Sequence, residues 1–125
     1  MLKEFLLTLV TFLMIDLVWL GFLARQFYDQ ELAGFTRVLR WPAAIAAYLL
    51  LALGITWFVL PKTGQQKLVN FFWGAGFGLI VYGVYDLTNY ATLKNFTLKM
   101  LMVDMLWGAV VCGLVTLLVV SFSSL

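Results

Sequence analysis

The chain has 125 residues, 64% of them hydrophobic and 11% charged, with a formal net charge of +2. Soluble domains run nearer about 45–50% apolar and about 25% charged, so this composition excludes an ordinary soluble fold and points to a one-domain integral membrane protein. The low net charge and the lack of a dense basic run exclude a nucleic-acid partner.

The first apolar stretch covers residues 5–24. It is too long for a signal peptide, contains Asp16 and has no A-x-A cleavage site, so it reads as a retained first helix. The first connection, from Arg25 to Trp41, is the longest. Tyr28, Leu32, Phe35 and Leu39 recur in it at i, i+4, i+7 and i+11, among Arg25, Asp29, Glu31, Arg37 and Arg40. That rhythm suits a short helix lying in the membrane interface, with a polar loop carrying apolar anchors as the alternative.

A second span covers residues 42–60 and is bracketed by Pro42 and Pro61, both at positions where a helix end tolerates proline. A third covers residues 68–93 and a fourth residues 98–122. Each is long enough to cross a hydrocarbon core of about 30 Å. The two later connections are short, so neighbouring helices run antiparallel. The expected fold is an all-α, four-helix transmembrane bundle, with a short interfacial helix between the first two spans.

Arg25, Arg37, Arg40, Lys94 and Lys99 flank one side of the spans, and Lys3, Lys62 and Lys67 the other. This asymmetry favours cytoplasmic first and third connections. Arginines at such boundaries commonly snorkel to lipid phosphates. An arginine turned inward would instead neutralise part of any acidic site.

Asp16, Asp86 and Asp104 lie inside the spans, and they are half of the six acidic residues. Three ionised, unpaired aspartates at bilayer depth would cost about 8–10 kcal/mol. Pairing, protonation, water, a cation or a ligand must offset this. Helix rise puts Asp16 roughly 13 Å from the Arg25 boundary, Asp86 roughly 12 Å from Lys94, and Asp104 roughly 8–15 Å from the Lys94 and Lys99 boundary. All three therefore sit in the half nearest the first and third connections. In a bundle, inward side chains at one depth form one pocket. The alternative is three separate carboxyls, each bonded to a neighbouring helix.

Each aspartate has aromatic company at helical spacing. Asp16 and Trp19 share a face, as do Asp104 and Trp107, so D-x-x-W occurs twice. Tyr82, Tyr85, Asp86 and Asn89 share a face of the third span, and Tyr48 lies at matching depth in the second. Indole N–H and phenol O–H groups donate to carboxylates, and their rings can wall a pocket or cradle a cation. The alternative for the tryptophans is a membrane-interface belt. Gly74 and Gly78 form a G-x-x-x-G pair that suits close helix packing, within one chain or between copies in a homo-oligomer.

With one cysteine (Cys112) and no histidine, haem, zinc and iron–sulfur sites lack their usual ligands. If a hard cation such as Mg²⁺ or Ca²⁺ binds, Asp16, Asp86 and Asp104 are the ligands to expect. Any other cofactor stays open.

The strings IDLVWLGFLARQFYDQEL, YDLTNYATLKNF and VDMLWGA resemble a bacterial family of small, predicted four-helix membrane proteins carrying a domain-of-unknown-function label. The resemblance implies a multi-pass protein of the bacterial inner membrane and no particular activity. On the residues alone, the leading expectation is binding or transport of a small molecule or cation, in exchange for a proton. An intramembrane enzyme using aspartate acid–base chemistry on a lipid or isoprenoid is one alternative, and a structural or accessory subunit is the other.

Overall fold

The computed structural model describes residues 1–36 and 40–123. The described residues are mostly helical, with no strand among them. Helix α1 (Leu2–Val18) continues as a π-helical stretch, Trp19–Leu23. Helix α2 (Arg25–Glu31) follows. Helix α3 (Trp41–Gly54) continues as π-helix Ile55–Val59 and 3₁₀ turn Leu60–Lys62. Helices α4 (Lys67–Thr92) and α5 (Leu98–Ser123) complete the chain. Four helices, Leu2–Leu23, Trp41–Lys62, Lys67–Thr92 and Leu98–Ser123, are long and apolar enough to cross a membrane. The chain is a helical bundle of that kind. Its outer faces carry exposed apolar side chains such as Met14, Leu17, Leu50, Ile80, Val84 and Leu106, as lipid contact requires.

The first connection contains a short helix, Arg25–Glu31, which ends before the rest of the expected amphipathic rhythm. Leu32 and Phe35 continue past it in turns and pack, with Phe27 and Trp19, on the cluster of Ala24, Tyr28, Phe96, Met100 and Leu101. Arg37 and Leu39 lie outside the described residues. Local polar contacts hold the connections. Thr97 Oγ1 accepts from Met100 N at 3.0 Å, capping α5, and its hydroxyl donates to Glu31 at the end of α2. Asn70 brackets the turn before α4, donating to Gly64 O and accepting from Gly64 N, each at 2.8 Å.

The tightest interface is α4 against α5. A Cβ on Gly78 would run into the Gly108 carbonyl, and one on Gly74 into the Cys112 carbonyl and Thr116. The G-x-x-x-G pair therefore serves packing within the chain: without side chains the two backbones come close, and dispersion contacts multiply. A core of Phe12, Ile55, Val59, Val111, Cys112, Val115 and Val119 fills the half of the bundle near the termini. The cluster around Tyr28 fills the opposite end. The aspartates lie between these two apolar layers.

Candidate functional site

Helices α1 and α5 run antiparallel: Glu4 sits beside Ser123 at one end, and Glu31 reaches Thr97 at the other. Two copies of D-x-x-W on antiparallel neighbours oppose each other head to tail, so Asp16 meets Trp107 directly and Asp104 meets Trp19 through Tyr28. Trp107 Nε1 donates to Asp16 Oδ1 at 3.0 Å. Reciprocally, Trp19 lies on the Asp104 side, where its Nε1 donates to Tyr28 Oη at 3.3 Å and Tyr28 donates to Asp104 Oδ1 at 2.8 Å. The two indoles stack between these bonds, with centroids 4.3 Å apart and planes 7° apart. The π-helical stretch beginning at Trp19 closes with Ala24 N donating to Trp19 O at 2.7 Å. This widened turn leads directly into α2, which carries Tyr28; π-helical turns recur at functional sites.

Asp16 is 6% exposed and accepts a second bond, from Tyr48 on α3. Its two oxygens are thus both supplied with donors. Asp86 is 1% exposed and differently placed. The α4–α5 register, with Gly78 against Gly108 and Gly83 against Met105, brings it level with Asp104. The Asp86 carboxyl lies within hydrogen-bonding reach of that of Asp104, and no N–H or O–H among the described residues reaches the buried Asp86 Oδ2. An ionised carboxylate only accepts, so the two carboxyls can bond each other only when one of them carries a proton.

The three aspartates therefore fall into two sets, Asp16 alone and Asp86 with Asp104, joined through the stacked indoles. Among the described residues no three acidic, histidine or cysteine side chains are grouped so as to hold a metal ion. Nor does a described cation neutralise them: among the described residues Met1 pairs with Glu4 and Arg25 with Asp29, both at the surface. Arg25 and Arg40 are exposed, and Arg37 lies outside the described residues.

Asp104 also lines a groove of about 470 Å³ with Ala47, Leu50, Leu51, Phe77, Val81, Tyr82 and Tyr85. The groove exists because α3 meets α4 mainly through its π-helical end, Ile55–Val59, and stands away from it along Trp41–Gly54. Its rim is formed by lipid-facing side chains, with Leu50 67% and Tyr85 66% exposed. Tyr82 is half-buried between the groove and Gly108. Of the residues expected to form one pocket, Asp16, Trp19, Tyr48, Asp104 and Trp107 are joined by hydrogen bonds or ring stacking, and Asp86 is joined to them through Asp104. Tyr82 and Tyr85 belong to the groove. Asn89 is half-buried one turn beyond Asp86 and makes no side-chain hydrogen bond with the described residues.

Tyr28 is the member that sequence reasoning left out, placing it only as an apolar anchor of the first connection. It is 8% exposed. Burial pushes its phenol above the ordinary tyrosine range; the Trp19 hydrogen bond works against this, and the charge of Asp104 adds to it. Its hydroxyl therefore stays protonated. The available signal was its place in an amphipathic rhythm, since a tyrosine on the inward face of an interfacial helix needs a partner for its oxygen.

The chain belongs to the family described as "Predicted membrane protein (DUF2177)", whose family model matches residues 1–121. No curated protein and no solved structure matches it.

Proposed function

We propose that this member of the DUF2177 family binds a membrane-dissolved small molecule that has an apolar body and a hydrogen-bond-donating, cationic end. The observation that carries the reading is the groove between α3 and α4. It is almost wholly apolar, opens sideways between exposed apolar side chains, and is lined by Asp104, the neighbour of the buried Asp86 whose Oδ2 lacks a donor among the described residues. An ammonium group in the groove donates to Asp104 and supplies positive charge beside the two acids, and the ligand's apolar part lies along Leu50, Phe77 and Val81. Entry from within the bilayer requires no aqueous path. Placement in the bacterial inner membrane, with the first connection toward the cytoplasm, belongs to the same reading.

The test is a fluorescence titration of the purified protein in lipid nanodiscs with dansylcadaverine, a primary amine with an apolar chromophore. Saturable binding is expected, weakened about 10- to 100-fold by Asp104→Asn, the effect of losing one charge-assisted hydrogen bond. Leu50→Trp, which fills the groove, should weaken it similarly. Equal binding by wild type and both variants would refute the reading.

The sideways opening also favours a second reading, an enzyme acting on a lipid or isoprenoid with Asp86 and Asp104 dividing acid and base roles. Incubating the protein with a lipid extract and finding a product that Asp86→Asn fails to make would select it over simple binding.

A further inference from the structure

Asp86 Oδ2 is buried without a donor among the described residues, beside the Asp104 carboxyl, so the two acids can bond each other only by taking up a proton, and that proton must come from water. The groove offers no route for it, being walled by apolar side chains and facing lipid. On the other side Asp104 meets the Tyr28 hydroxyl, which α2 carries in from outside the spanning segments. We infer that Tyr28 is the proton port of the carboxyl pair, passing protons between Asp104 and water at the membrane face formed by the first and third connections.

The bonding pattern supports this assignment. A hydroxyl has one donor and two acceptor positions. Tyr28 spends its donor on Asp104 and one acceptor position on Trp19, which leaves one acceptor position for water. Indole N–H only donates, so neither Trp19 nor Trp107 can pass a proton onward. Tyr48 can exchange protons but is bonded to Asp16, away from the pair. Ala24, Phe96, Met100 and Leu101 pack around Tyr28, and Asp16 is the other carboxyl whose charge acts on it.

In the inward step a hydronium ion gives its proton to Tyr28 Oη as the original Tyr28 proton passes to Asp104 Oδ1. One O–H bond of hydronium and the Tyr28 O–H bond break, and a new Tyr28 O–H bond and an Asp104 O–H bond form. Water, an unchanged tyrosine and a neutral carboxyl remain. The outward step is the reverse. Trp19 holds the phenol oxygen in line throughout, so Trp19 is a positioning residue.

This inference rests on the proposed function only in treating Asp86 and Asp104 as a working pair, and its test contains no ligand. The full-length protein in nanodiscs is moved from H₂O to D₂O while the infrared C=O band of protonated carboxyl is followed. The band is identified by its loss in Asp86→Asn. In Tyr28→Phe, which keeps the ring packing, the band should persist and its isotope shift should slow about 10- to 100-fold. Tyr90→Phe, an exposed phenol elsewhere on α4, should exchange like wild type. Unchanged exchange in Tyr28→Phe would overturn the assignment, as would the absence of a protonated band in wild type. Slowing by the groove-filling Leu50→Trp, but not by Tyr28→Phe, would overturn it in favour of the groove. Failure of dansylcadaverine to bind would leave this result standing, so the two ideas fail separately.

Discussion

Replacing Gly78 with alanine tests the contact on which the carboxyl pair depends. The new Cβ would collide with the Gly108 carbonyl oxygen and lie 2.7 Å from its carbon and 2.8 Å from Cys112 Cβ. These obstacles are backbone and a buried Cβ, so no side-chain rotation relieves them. Ordinary carbon–carbon contact is about 3.5–4.0 Å, and α4 and α5 must therefore part by roughly 1 Å. Overpacking of this kind costs about 1–3 kcal/mol, against about 0.5–1 kcal/mol gained when alanine replaces glycine inside a helix. The net expectation is a destabilisation of about 1–2 kcal/mol. Gly76→Ala supplies the control, because its added Cβ meets nothing within 4 Å. It should be neutral or slightly stabilising. Reversible unfolding in mixed micelles by sodium dodecyl sulfate, followed by tryptophan fluorescence, measures both. Equal stability of the Gly78→Ala and Gly76→Ala proteins would show that the close α4–α5 approach is not what holds the bundle. Asp86 lies about two turns further along α4, so the same separation should also weaken dansylcadaverine binding.

Two further predictions use the same unfolding assay. Trp107→Phe removes the donor to Asp16 Oδ1 while keeping an aromatic ring against Trp19. It should cost about 1–3 kcal/mol, and the loss should shrink in an Asp16→Asn background, where the acceptor is already altered. Asn70→Ala removes both bonds to Gly64 from a side chain that is 2% exposed. It should cost about 1–3 kcal/mol and should increase protease cleavage at Lys62 and Lys67 in the turn it braces.

The depth of the aspartates and the four spans were legible in the sequence because both depend on one-dimensional quantities: apolar length, and rise per residue from a charged boundary. The D-x-x-W pairs were legible as faces for the same reason. Their exchange of partners was not. It arises from α1 and α5 being antiparallel neighbours in one register, and hydropathy says nothing of which spans touch. The Asp86–Asp104 pairing has the same origin: it follows from the Gly78–Gly108 approach, which involves residues distant in the chain. Tyr85 shares a helix face with Tyr82 and Asp86 by spacing; α3 stands away from α4 there, and that separation, which no spacing reveals, leaves its ring at the groove rim.

Composition and periodicity alone required a membrane bundle with carboxyl groups at a common depth, since burying charge in hydrocarbon is costly wherever it occurs. Which carboxyl is satisfied and which lacks a donor depended on how the helices pack. Tyr48 and Trp107 converge on Asp16 from two other spans, whereas Asp86 meets only another acid. Hydrogen bonds act over about 3 Å, and no local pattern specifies distances that short between segments so far apart in the chain.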